Sequence, residues 1–177
     1  MKRFPLLLVL LVSLPLSAQQ QRPDNEVSVS YGQMEVEDAL DYNDAMGASY
    51  NRYWTRVIST RVGVMAGRGD LPDDNGDASS TIIHATLEAH PFRGRLFSPH
   101  AGAGAAYARH KQNYIGSNEV DSRVTLALLG GIDVNFTPRF GVGADMLYSH
   151  FGEESDGGRF PEDLTSISVF GSARFRW

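Results

Sequence analysis

Leu164-Thr-Ser-Ile-Ser-Val-Phe-Gly-Ser-Ala-Arg-Phe-Arg-Trp177 is the stretch whose reading decides the fold. Ile167, Val169, Gly171, Ala173, Phe175 and Trp177 fall on one face of an extended strand. Ser166, Ser168, Ser172, Arg174 and Arg176 fall on the other, with Phe170 as the exception. A period of two sets one face against an apolar medium and the other against a polar one. Two architectures fit this strand taken alone. It is either the edge strand of a soluble β-sandwich, or a wall strand of a membrane barrel with lipid on one side and a polar interior on the other.

The other end of the chain gives an address. Lys2 and Arg3 form a positive start, Leu6 to Leu16 an apolar run broken by Ser13 and Pro15, and Ser17-Ala18 a small-residue cleavage site. This is the pattern of a secretory signal peptide over residues 1–18. The run is too short to cross a bilayer as a helix. Residues 19–177 are then expected to form one β-barrel domain. The chain has no cysteine, which excludes disulfides and thiolate metal sites.

Eight extended segments follow the polar leader, at about 26–36, 43–55, 60–69, 79–91, 99–111, 121–137, 139–151 and 164–177, with ends uncertain by roughly 2–4 residues. The first opens Val27-Ser28-Val29-Ser30-Tyr31 in strict alternation. The fourth sets Ile83, Ala85, Leu87 and Ala89 against His84, Thr86, Glu88 and His90. In the sixth, Val124, Leu126, Leu128, Ile132, Val134 and Phe136 oppose Arg123, Thr125, Asp133 and Asn135. In the seventh, Phe140, Val142, Ala144, Met146 and Tyr148 oppose Gly141, Gly143, Asp145 and Ser149. Connections are expected to alternate, long at 37–42, 70–78, 112–120 and 152–163 and shorter at the other end. Long loops on one side and tight turns on the other are the rule in membrane barrels.

Charge and aromatics sort by strand end as well. Most of the 21 acidic residues fall in or beside the long connections, among them Glu37, Asp38, Asp73, Asp74, Glu153 and Glu154. Trp54, Phe92, Phe97, Phe136, Phe140, Phe175 and Trp177 gather at the short-turn end, and Tyr107, Tyr114, Tyr148 and Phe151 at the other. Two aromatic belts are what two water–lipid interfaces select. A soluble sandwich gives no reason for that sorting. The expected fold is therefore all-β, an eight-stranded antiparallel transmembrane β-barrel of the up-and-down type.

The terminal aromatic strand resembles the C-terminal signature of bacterial outer-membrane barrels. The whole arrangement resembles the small OmpA/OmpX-like outer-membrane barrel family. The likeness is architectural and spans essentially all of the chain after the leader. It implies a monomer in the outer membrane of a Gram-negative bacterium, assembled through its C-terminal strand by the barrel-assembly machinery. It implies contact with outer-membrane lipids and lipopolysaccharide, and a structural, membrane-stabilising or adhesive role through acidic extracellular loops that meet a host or surface ligand. A peptidoglycan-binding domain, which such barrels often carry after the barrel, is not expected here. Nothing basic and aromatic clusters as nucleic-acid binding needs.

The inward faces carry the candidate chemistry. An eight-stranded barrel is just wide enough for side chains to fill. Arg61, Glu88, Arg123, Asp133, Asp145, Arg174 and Arg176, with His84 and His90, are expected there as a paired plug, since unpaired buried charge is costly. An ion path through a narrow pore is the competing reading. A lipid A-modifying acyl hydrolase is another. Tyr148-Ser149-His150-Phe151, followed by Glu153 and Glu154, lies near the place of that family's His-x-Ser pair. The order is reversed, however, and adjacent strand residues point to opposite faces. His110 is the other base that an inward Ser149 could meet. Asp73, Asn75 and Asp77 are spaced as in a calcium loop but lack the closing glutamate, which leaves a solvated acidic loop. His84, His90, His100 and His110 show no zinc spacing. The sequence thus assigns no catalytic, cofactor-binding or metal site and no enzymatic activity.

Overall fold

The computed structural model describes residues 23–36, 40–70, 76–114, 117–151 and 164–177. The signal-peptide segment, Asp73, Asn75, Glu153 and Glu154 lie outside the described residues. Eight strands are present: β1 (Asn25–Val36), β2 (Leu40–Tyr53), β3 (Ile58–Asp70), β4 (Gly76–Ala89), β5 (Phe97–Tyr114), β6 (Ser117–Asn135), β7 (Phe140–Phe151) and β8 (Leu164–Arg176). They close into a barrel in sequence order. Every neighbouring pair is antiparallel.

The terminal strand behaves as its alternation demands. Ile167, Val169, Phe175 and Trp177 are exposed on the outer wall, while Ser166, Ser168, Ser172, Arg174 and Arg176 are buried inside. Phe170 also points inward and is buried. β8 pairs with β1 from Glu26↔Arg176 to Val36↔Ser166. Reciprocal bonds between Asn25 and Trp177 finish the seam, with N···O distances of 3.2 and 3.1 Å. Closure leaves no free strand edge, which a lipid environment requires.

The outer wall carries one apolar band. Val27, Val29, Met46, Val62, Val64, Leu87, Leu126, Leu128, Met146 and Val169 are all exposed along it. Near the termini Phe136 stacks on Phe140 and Phe175 on Trp177, both with ring centroids 6.1 Å apart.

Two turns at that end are built alike. The Thr55 hydroxyl accepts from the Val57 and Ile58 amides, and the Thr137 hydroxyl from the Arg139 and Phe140 amides. Such threonines hold a tight reversal without glycine.

Of the long connections expected, the one at 152–163 lies between β7 and β8 as expected, and the other three are shorter. β5 runs on to Tyr114 and β6 starts at Ser117, so most of the long connection expected at 112–120 is paired strand. The gaps at 37–39 and 71–75 are likewise shorter than expected, and the reversal at 90–96 exceeds both. The cause is physical. Backbone pairing from Lys111↔Val120 to Tyr114↔Ser117 carries β5 and β6 on through that stretch.

Candidate functional site

The inward faces stack three kinds of side chain along the lumen. An ionic tier lies toward the termini. Farther along the same faces comes an apolar tier of Met34, Met65, Ile82, Leu129, Leu147 and Phe170, all buried, with small alanines between them. Toward the loop end are His110, Gln112, Thr125, Ser149, Ser166 and Ser168, also buried.

The ionic tier is a connected network. Arg61 Nε lies 2.9 Å from Glu88 Oε1 and its Nη1 3.5 Å from Asp145 Oδ1. Arg174 Nη1 lies 2.8 Å from Asp133 Oδ1 and 3.5 Å from Glu26 Oε1, and its Nη2 donates to Asp145. Arg176 donates to Glu26 and Asn135, and its Nη2 lies 3.3 Å from Asp133 Oδ2. Tyr53 donates to Glu26 Oε2 at 3.3 Å, and Ser172 to Asp145 Oδ2 at 3.2 Å. Charges in so dry a place persist only when paired and hydrogen-bonded. This is the plug expected of Arg61, Glu88, Asp133, Asp145, Arg174 and Arg176. His84 is buried beside it, and Arg123 is half-buried nearer the loop end.

Glycine makes the network possible. A Cβ on Gly131 would sit 2.6 Å from Asp145 Oδ1 and 2.8 Å from His100 Nε2. One on Gly143 would sit 2.8 Å from Arg174 Nε and 2.9 Å from Asp133 Oδ1. Both positions face inward, where only a hydrogen leaves room for the long side chains of neighbouring strands.

Glu26, Tyr53 and His100 belong to the network and were not foreseen. Glu26 shares the inward register of Ser28, which is its only signal in the sequence. His100 sits near the start of β5, and its ring stacks on His90 with centroids 5.2 Å apart and an interplanar angle of 20°. Tyr53 meets His90 edge-on at 5.1 Å. Arg93 covers the same end, with its guanidinium 3.5 Å from the centre of the Tyr53 ring. It also donates to the Pro23 carbonyl, and to that of Thr55 at 3.4 Å.

The structure separates the hydrolase pair. Ser149 is buried in the lumen and His150 is exposed on the outer wall. Ser149 and His110 share the loop-end tier, and Asp77 is exposed at the start of β4.

A second group lies outside, just past the apolar band. Arg68 is opposite Ser79, Ser79 opposite Lys111, and Thr81 opposite Arg109. Arg68 and Arg109 are exposed and Lys111 half-buried. Three bases thus share one outward patch on β3 and β5.

Comparison with known proteins agrees with this architecture. Residues 4–175 match the model of the outer membrane protein beta-barrel domain. Neisserial surface protein A is similar in fold, with a TM-score of 0.72 and 15% identity over 89% of this chain and 100% of that one. Ail, the attachment invasion locus protein of Yersinia pestis, has a TM-score of 0.58 and 16% identity over 87% of this chain and 99% of that one. The N-terminal β-barrel domain of Pseudomonas aeruginosa OprF has 0.59 and 13% over 88% and 100%. No curated protein sequence matches the chain.

Proposed function

Because the chain belongs to the outer membrane protein beta-barrel domain family and resides in the outer membrane, we propose that it is a closed, non-catalytic wall element that stabilises the membrane through its lipid and lipopolysaccharide contacts. The observation that carries this reading is the apolar tier across the lumen. Met34, Met65, Ile82, Leu129, Leu147 and Phe170 form one buried apolar cluster inside the barrel. A hydrophobic constriction of this kind excludes water and ions, which favours a plug over a pore. The wall supports the same role. Arg68, Arg109 and Lys111 share the outward face of β3 and β5, and guanidinium and ammonium groups bind phosphates well, which supports contact with lipopolysaccharide. The loop end then faces the outside of the cell and the termini the periplasm.

An adhesive role is the second reading. It is favoured by the β5–β6 pair, which runs on past the apolar band from Lys111↔Val120 to Tyr114↔Ser117. A rigid projection of that kind suits contact with a host or surface ligand, and Ail is by its name an attachment protein.

The test uses folded protein and cells that lack it. Planar bilayers with the purified barrel are expected to show no conductance steps. Deletion is expected to sensitise cells to detergent and leave the lipid A mass spectrum unchanged. Replacing Arg68, Arg109 and Lys111 together by glutamine is expected to lower the lipopolysaccharide that co-purifies. Steady conductance, or acyl chains restored to lipid A in the deleted strain, would overturn the proposal.

A further inference from the structure

We infer that the lumen holds one divalent transition-metal site, formed by His90, His100 and Asp133. Each residue offers one ligand atom, and the three atoms lie within 4.8 Å of one another. All three residues are buried. His90 directly follows β4, His100 lies near the start of β5 and Asp133 in the terminal half of β6, so an ion there ties three stretches of the barrel together.

The hydrogen bonding of the two imidazoles points to a ligand. His100 Nε2 is held at 2.8 Å by Asp145 Oδ1. His90 Nε2 lies 3.2 Å from Glu88 Oε2 and 2.9 Å from Ser59 Oγ. The His100 nitrogen held by the Asp145 carboxylate carries the proton and leaves the other as a bare lone pair, and a His90 Nε2 that donates to Ser59 Oγ leaves its ring the same way. On both rings that other nitrogen is Nδ1, and neither Nδ1 has a hydrogen-bond partner among the described residues. Histidine fixed through its far nitrogen by a carboxylate is the arrangement in which imidazole ligates metals. His100 Nδ1 stands 3.8 Å from Asp133 Oδ1.

Charge favours a cation at this place. Among the described residues of the ionic tier, the four carboxylates Glu26, Glu88, Asp133 and Asp145 pair with three arginines, Arg61, Arg174 and Arg176, and with the imidazoles of His90 and His100. Arg174 and Arg176 both approach Asp133. A carboxylate oxygen has more than one lone pair, so Asp133 can ligate and keep its arginine. Two imidazoles and one carboxylate suit Zn²⁺ and its transition-series neighbours better than Ca²⁺ or Mg²⁺. Bonds of about 2 Å to zinc require the ligand atoms to draw together by roughly an ångström. The ion enters while the barrel is closing, because the finished site is buried.

The experiment refolds the chain into detergent with Zn²⁺ present, washes it with a chelator, and counts zinc per folded chain. One zinc per chain is expected for the wild type, and the X-ray absorption edge should report two imidazoles in its first shell. His84→Asn and His150→Asn should keep the zinc. His90→Asn and His100→Asn should lose it, by more than the ~10–100-fold that follows loss of an outer partner. Heat-modifiable migration shows whether each variant folds, and the absorption spectrum needs the wild type alone. A zinc-free wild type, a first shell without two imidazoles, or zinc retained by either folded ligand variant would overturn the site.

Discussion

Arg174 Nη1 meets Asp133 Oδ1 at 2.8 Å, and the contact joins β8 to β6 over the top of β7. The two strands share no backbone pairing, so the side chains brace the wall from within. Gly143, on the strand between them, leaves the space for that crossing.

Arg174→Met keeps the apolar stem and removes the charge. Glu26, Asp133 and Asp145 then lose a shared partner in a dry lumen. Stripping one member from a buried ion network costs about 3–5 kcal/mol. Urea unfolding in lipid vesicles should show a loss of that size, against a change of about 0.5 kcal/mol or less for Arg139→Met at an exposed turn.

Gly143→Val tests the space itself. Its Cβ would fall within 3 Å of both Arg174 and Asp133. Forcing volume into packed interior costs about 1–3 kcal/mol. The same urea series should register it, and a Gly143→Val barrel as stable as the wild type would mean that the crossing lies elsewhere.

Leu128 lies on the outer wall near the middle of the apolar band, with Ala127 buried on the other face. Arginine at the bilayer midplane of a barrel costs roughly 2–4 kcal/mol, falling toward the interfaces. Leu128→Arg should lose about that much in vesicles and Val124→Arg less. Equal losses would argue against a bilayer at this height.

Deleting Phe175 to Trp177 removes the Val27↔Phe175 and Glu26↔Arg176 pairings, the Asn25–Trp177 bonds and two outward aromatics. Arg176 also leaves Glu26 and Asp133 behind. The truncated chain is expected to lose heat-modifiable migration and protease resistance. A compact, resistant product would show that the seam closes without this end.

Ser149→Ala should leave lipid A unaltered, and the purified wild type should release no fatty acid from it. A nucleophile needs its base within hydrogen-bond reach, while Ser149 and His150 point to opposite sides of the wall. Fatty-acid release abolished by Ser149→Ala would make the lumen an active site.

By itself the sequence determined the medium on each side of every strand. Period 2 in Ile167 to Trp177, repeated in β4, β6 and β7, is a record of lipid against interior, and it was enough for strand number, closure and compartment. It carried the inward set of Arg61, Glu88, Asp133, Asp145, Arg174 and Arg176 for the same reason. It did not carry their partners. Which residues meet across a lumen depends on the stagger of strands that pair in sequence order, and no periodicity along one strand records its height against another. His90 and His100 therefore read as scattered histidines and stand stacked in the fold. The ends of β5 and β6 escaped for a related reason. There only the backbone pairing between Lys111–Tyr114 and Ser117–Val120 shows that the wall continues.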